Sequence, residues 1–95
     1  MSTKTLPRGV AIVVLSEHSL GVAKKISAVL PGSEIHGRSG RVKEVEQLFF
    51  DFGEHIRHLF ELRCPIICIC AAGIVIRSLA TLLHNKNSEP PVIVV

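Results

Sequence analysis

Tryptophan and tyrosine are absent from this sequence of 95 residues, which contains only four phenylalanines and one methionine. A hydrophobic core must therefore be aliphatic, which suits the layered packing of helices on a sheet. The scattered basic residues have no aromatic platform beside them, so the composition does not indicate a nucleic-acid partner. The three cysteines are an odd number in or beside an apolar run, which argues against a disulfide framework and favours reduced thiols.

Long hydrophobic runs are also missing. No run approaches the ~20 residues that a membrane-spanning helix needs, and residues 1–9 are too polar for a signal peptide. We therefore expect a cytoplasmic location and no membrane partner. The cysteine spacing C-x3-C-x-C is not a zinc pattern, so no metal site is expected. The formal charge of +3 favours an anionic partner.

Apolar runs alternate with helical patterns along the chain. Strands are predicted at residues 10–15, 33–37, 66–70 and 92–95. Helices are predicted at residues 20–30, 54–62 and 73–84. This order predicts one α/β domain over residues 1–95, with three layers (α/β/α) and a four-stranded parallel sheet in the flavodoxin-like order 2-1-3-4. Because the chain stops inside its last apolar run, we expect it to be an excised N-terminal fragment of a longer multidomain protein.

The turn after the third predicted strand is the first candidate for a ligand site. Ala71, Ala72 and Gly73 precede a helix N-terminus, where free N–H groups and the helix dipole favour an anion. Arg77 follows one helical turn later. Two other interpretations stay open: the small residues only allow the strand and helix to pack closely, and Arg77 forms a structural ion pair or reaches solvent.

A catalytic set is harder to assemble from the sequence. Cys70 would sit at a strand's carboxyl end, where a nearby base such as His18 would be needed to lower its pKa. Core packing is the alternative for this cysteine. His36 is predicted to share a crevice with His18, and this pair is favoured over the H-x-x-H pair of His55 and His58, which suits a solvated helix face.

The C-terminal segment CAAGIVIRSLATLLHNKNSEPPVIVV resembles the N-terminal domain of the cobalamin biosynthesis protein G family, the cobalt-precorrin-5A hydrolases. The similarity lies in the small-residue turn, the Gly73–Arg77 stretch, the loop with Lys86, and the final valines. The first strand with its polar turn at Ser16 and His18 is also similar, as is LPGSEIHGRSGRV at residues 30–42. The sequence departs from the family at Ala72, where threonine is common, and at Asn85, where an acid is common.

The resemblance is strongest to the version fused in front of precorrin-3B C(17)-methyltransferase. It implies a module that helps to bind or channel an acidic precorrin, with Ser16, His18, Ala71, Ala72, Gly73, Arg77 and Lys86 as ligand-binding residues. Arg38, Arg41 and Lys43 would join this rim if the second strand lies beside the first. S-adenosylmethionine would belong to a downstream domain of the same chain, so no cofactor is expected in this fragment.

Two alternatives to this interpretation remain open. The chain is part of a cobalt-precorrin-5A hydrolase, which opens a lactone and releases a two-carbon fragment, or it is a non-catalytic flavodoxin-like regulatory or docking domain. The sequence does not establish any catalytic residue. His18 and Cys70 are the only candidates for that role.

Overall fold

The computed structural model of the chain describes residues 9–80 and 90–95. Within these residues there are five β-strands, three α-helices and a short 3₁₀ helix, Glu17–Ser19. In chain order, the strands and α-helices are β1 (Ala11–Val14), α1 (Leu20–Ala28), β2 (Glu34–Arg38), β3 (Gln47–Phe49), α2 (Phe52–Glu61), β4 (Ile66–Ile69), α3 (Ala72–Leu79) and β5 (Val92–Val94).

The strands form one sheet in the order β3-β2-β1-β4-β5, and every neighbouring pair is parallel. β1 is the central strand, where Val13 lies opposite His36 on one side and Cys68 on the other. All four residues of β1 are buried, as the unbroken apolar run of a strand covered on both faces requires. The predicted α/β class and parallel sheet are therefore confirmed.

The predicted number of four strands is wrong, whereas the predicted order 2-1-3-4 is confirmed for those four strands. The four predicted strands keep their relative order as β2-β1-β4-β5, but β3 adds a fifth strand outside β2. The resulting order 3-2-1-4-5 matches five strands of the six-stranded doubly wound order 3-2-1-4-5-6, whereas flavodoxin has 2-1-3-4-5. Before Gly53, the residues Gln47–Phe49 are extended and form β3, and Ser39 N donates to Phe49 O over 2.7 Å.

The helix boundaries differ from the predicted ones by a few residues. α2 begins at Phe52, before Gly53, because the side chain of Asp51 caps it by accepting from Glu54 N over 3.2 Å. α1 ends at Ala28, and α3 begins at Ala72. Residues 81–84 of the predicted third helix lie outside the described residues.

Two apolar clusters cover the two faces of the sheet. Alternate residues of β1 enter different clusters, since Ala11 and Val13 face α2 and α3 whereas Ile12 and Val14 face α1. Ile56 of α2 is fully buried in the first cluster. This layering leaves the ends of the strands exposed, and the loops that follow them form the surface on which a site can be built.

The connection from β2 to β3 lies against the α1 face of the sheet. Val42 in this connection is buried and packs on Gly37 of β2. Residues 39–46 join two adjacent parallel strands without a helix, which is shorter than the dozen or more residues usual for such a crossover. Among the helices in residues 9–80 and 90–95, none is long and apolar enough to cross a membrane.

Candidate functional site

The carboxyl ends of the parallel strands lie together at one edge of the sheet, which we call the carboxyl edge. Because Val14 of β1 pairs with Ile69 of β4, the segments that begin at Leu15 and Cys70 leave the sheet side by side. The connections that follow β1 and β4 run in opposite directions along the sheet, since β1 leads to β2 on one side and β4 leads to β5 on the other. Open α/β sheets bind ligands at such a switch point, so Ser16 and Ala71 occupy the expected place.

The N-terminus of α3 opens onto the carboxyl edge. Ala71 is its N-cap, no side chain caps the helix, and its first turn contains no acidic residue. Ala71, Ala72 and Gly73 are exposed. The guanidinium of Arg77 folds back over this turn, with Nη1 3.3 Å from the position that a Cβ on Gly73 would occupy. A cation near the positive N-terminal end of a helix dipole is electrostatically unfavourable. An anion that binds between the cation and the helix N-terminus removes this repulsion.

Basic side chains extend this surface along the carboxyl edge. Arg38 ends β2, and Arg41 and Lys43 follow it in the connection to β3; all three are exposed. Lys43 N donates to the Glu17 carboxylate over 2.8 Å, which ties the connection to the turn after β1. Together with Arg77, these three residues form what we call the cationic rim. The predicted contribution of Lys86 lies outside the described residues.

A groove of about 340 Å³ lies between the end of β2 and the helices α2 and α3. Its walls include Arg38, Phe50, Gly53, Ile74 and Ser78. Phe50 is 84% exposed, an unusual position for one of only four phenylalanines in the chain. The groove therefore offers an apolar wall and a cation on the same surface.

Cys68 of β4 and Cys70, which follows that strand, are poorly suited to nucleophilic chemistry. Burial raises the pKa of the Cys70 thiol above its ordinary value, an effect that Cys68 partly offsets. Burial also raises the pKa of Cys68 to about 12, with a further contribution from Cys70. Because only the thiolate is a good nucleophile, these shifts argue against the predicted role of Cys70. His18 is exposed on the 3₁₀ helix, and its predicted catalytic role stays a prediction.

We expect the buried thiols to resist alkylation. At pH 7.5, a pKa of about 12 leaves Cys68 with a thiolate fraction on the order of 10⁻⁴ to 10⁻⁵. Iodoacetamide should therefore leave Cys68 unmodified in the folded chain over an hour, and Cys70 should react slowly, as measured by mass spectrometry of peptides. The same reaction in concentrated urea should modify both. Rapid alkylation of Cys70 in the folded chain would restore it as a candidate nucleophile.

A chain of hydrogen bonds links a carboxylate to two histidines on the α2 face of the sheet. His36 is fully buried in β2. Its Nε2 lies 3.2 Å from Glu34 Oε1, and its Nδ1 lies 2.8 Å from His55 Nε2 in the first half of α2. Gln47 Nε2 also donates to Glu34 Oε1 over 3.2 Å. We call Glu34, His36 and His55 the histidine chain.

The predicted grouping of the histidines is wrong for His36. Its side chain is within β2 and packs against α2, bonded to Glu34 and His55, rather than following the strand into a crevice with His18. The H-x-x-H pair is also divided, because His58 is exposed whereas His55 is half-buried and stacks on Phe49 with ring centroids 4.6 Å apart. One signal for this was available: Glu34 and His36 are two apart in a strand and share a face.

In the part of the chain that the structure describes, no group of three or more His, Cys, Asp or Glu side chains could hold a metal ion. The described residues offer exposed cations for anion binding at the cationic rim and a path of hydrogen bonds along the histidine chain.

Residues 54–95, which include β4, α3 and β5, match the family model described as Cobalamin synthesis G N-terminal. The match covers the α3 N-terminus and Arg77 of the cationic rim. The chain thus contains an α/β domain of the cobalamin synthesis G N-terminal type. It is also a distant homologue of cobalt-precorrin-5A hydrolase, as two curated relatives show.

Both relatives are named cobalt-precorrin-5A hydrolase. The protein of Salmonella typhimurium strain LT2 is 32% identical over 91 residues, covering 94% of this chain and 25% of the relative. The protein of Priestia megaterium is 29% identical over 91 residues, covering 90% of this chain and 24% of the relative. The chain spans about a quarter of the length of these relatives. No solved structure matches the chain.

Proposed function

We propose that this domain is the substrate-binding N-terminal module of a cobalt-precorrin-5A hydrolase-type enzyme of cobalamin biosynthesis. The observation that carries the proposal is the match of residues 54–95 to a cobalamin synthesis family, because that segment includes the uncapped start of α3 and Arg77. Both curated relatives are named as hydrolases. They support the hydrolase alternative better than a fusion to precorrin-3B C(17)-methyltransferase, which has no support among these similarities.

The ligand chemistry proposed for this surface is that of a tetrapyrrole with several carboxylates. The cationic rim places Arg38, Arg41, Lys43 and Arg77 along one edge of the sheet, and all four are exposed. Arginine forms paired hydrogen bonds to carboxylates. The groove beside Arg38 adds the exposed ring of Phe50 as an apolar surface for the macrocycle. Binding of this kind requires several charges and one flat apolar wall, and this edge supplies both.

The first test measures binding of cobyrinic acid, a stable corrin polycarboxylate, by the chain. We expect saturable binding that weakens as salt is added, because exposed charges are screened within about 10 Å at 0.1 M ionic strength. Arg77→Ala should weaken binding about tenfold, since it removes one charge-assisted contact at the start of α3. Calorimetry at two salt concentrations provides the measurement.

Lys25→Ala is the matched control for this test. Lys25 is exposed in the last turn of α1, which leads back to the opposite edge of the sheet, so this variant loses the same charge away from the rim. It should bind as the wild type does. Equal losses in the two variants would show that only net charge matters, and no binding by the folded chain would overturn the rim as a self-sufficient site.

A further inference from the structure

Gly53 lies in the first turn of α2, where the helix itself gives no reason for a glycine. Alanine is favoured over glycine in a helix, because glycine loses more backbone freedom on folding. Gly53 is the second residue of α2, and its φ does not lie in the left-handed region that favours glycine. An alanine could therefore adopt the same backbone conformation, and the glycine must be explained by what surrounds it.

The packing of α2 does not require the glycine either. A Cβ on Gly53 would lie 3.5 Å from Asp51 Oδ1 and 3.5 Å from Ser78 Oγ, which are ordinary van der Waals distances. The nearest atom, at 3.1 Å, is Nη1 of Arg57, the end of a flexible side chain. This atom donates to Ser78 O over 3.4 Å, a long hydrogen bond that a small movement of the guanidinium can accommodate.

The groove beside Arg38 supplies the reason that the fold does not. Gly53 lines this groove, and so do Asp51 and Ser78. Since atoms of Asp51 and Ser78 are among the nearest to the point that a Cβ on Gly53 would occupy, that Cβ would take up space beside the lining of the groove. A glycine in such a wall allows a ligand to approach the backbone closely.

The polar atoms around Gly53 carry opposite charges. Arg57 Nη1 is a hydrogen-bond donor, and Asp51 Oδ1 is an acceptor. Ser78 Oγ donates to Ile74 O over 2.8 Å, and its oxygen can still accept. We call Gly53, Asp51, Arg57 and Ser78 the glycine notch. Because one cation and one carboxylate offset each other there, the notch does not compete with the cationic rim for the carboxylates of a ligand.

We propose that Gly53 is a specificity-determining residue of this groove, whose missing side chain admits the edge of a flat ring between the apolar walls at Phe50 and Ile74. The inference rests on the proposed function, because the flat ring is that of the tetrapyrrole and Arg38 would hold one of its carboxylates. A side chain at position 53 would block the ring edge and leave the rim cations in place. The notch thus selects the ligand by shape, whereas the rim selects it by charge.

The test is a calorimetric titration of the wild-type chain and of Gly53→Ala with cobyrinic acid. Gly53→Ala should weaken binding about tenfold, because a methyl group inserted into a fitted contact costs as much as overpacking a core. The same variant should unfold at a urea concentration no lower than that of the wild type, since the helix favours alanine and the nearest neighbour is flexible. A loss of affinity without a loss of stability distinguishes a ligand contact from a structural role.

Gly21→Ala is the matched control. Gly21 is also the second residue of its helix, α1, and a Cβ on it would meet nothing within 4 Å. It is exposed, and α1 packs on the opposite face of the sheet from α2 and α3. This variant should be more stable than the wild type and should bind cobyrinic acid as the wild type does.

Backbone ¹H–¹⁵N NMR of the wild-type chain gives a second measurement that does not depend on a variant. Saturation with cobyrinic acid should shift the N–H signals of Gly53 and Ser78 more than that of Gly21. Binding without this shift, equal affinities of the wild type and Gly53→Ala, or a clear loss of stability in Gly53→Ala would overturn the role of Gly53 and leave the proposed function intact. No binding by the folded wild-type chain would overturn both.

Discussion

Alanine in place of Gly37 should lower the free energy of unfolding by about 1–3 kcal/mol, since an inserted methyl group must displace a packed core. A Cβ at this position would lie 2.8 Å from both Cβ and Cγ1 of Val42, and 3.3 Å from Cγ2 of Val45. Gly37 is buried in β2, and Val42 is only 1% exposed. The neighbours that must move belong to the connection that carries the chain to β3.

Urea unfolding measures this cost, and two further variants test its cause. Gly21→Ala is the control, since a Cβ on exposed Gly21 in α1 meets nothing within 4 Å. It should stabilise the chain by about 0.5–1 kcal/mol. Val42→Ala combined with Gly37→Ala should cost less than the sum of the two single variants, by about 0.5–3 kcal/mol. Additive costs would show that Val42 does not transmit the strain.

The sequence predicted the strands whose side chains pack on both faces of the sheet. The runs at 10–15 and 66–70 are continuous and apolar because β1 and β4 are central strands, each with a parallel neighbour on both sides. β3 was missed because it is an edge strand of only three residues, Gln47–Phe49. Its apolar side chains also fit the helical spacing that continues into α2. The conformation of β3 is determined by its pairing with β2. Local periodicity in the sequence cannot show that pairing.

The same limit applies to the candidate site. The small-residue turn and Arg77 are contiguous in sequence, so the helix start and its cation could be predicted together. The histidine chain joins Glu34 and His36 on β2 to His55 on α2, and a nineteen-residue separation between the histidines hides it. The position of His55 depends on where α2 begins, which the Asp51 cap determines. Packing of a helix on a strand therefore creates a site that neither segment reveals alone.

Acidification should destabilise the chain below pH 6.5, because His36 binds a proton more weakly in the folded chain than in the unfolded chain. Burial lowers the pKa of His36 from its ordinary value of 6.5, although Glu34 and Glu46 oppose the shift. Between the lowered value and 6.5, the unfolded chain binds a proton that the folded chain does not. The free energy of unfolding therefore increases with pH in this window, and the stabilisation is complete above pH 6.5. One proton limits the slope to about 1.4 kcal/mol per pH unit.

Urea unfolding at half-unit steps from pH 5.5 to pH 7.5 measures this slope, in a range that lies above the ordinary titration of carboxylates. His36→Gln should be less stable than the wild type at pH 7.5, because it disturbs the bonds to Glu34 and His55. Its stability should nevertheless depend less on pH, so the two curves converge as the pH falls. A wild-type curve that is flat in this range, or parallel to that of His36→Gln, would show that His36 does not carry the linkage. Convergence would establish that the buried imidazole is neutral at rest, the state in which its Nδ1 can accept from His55.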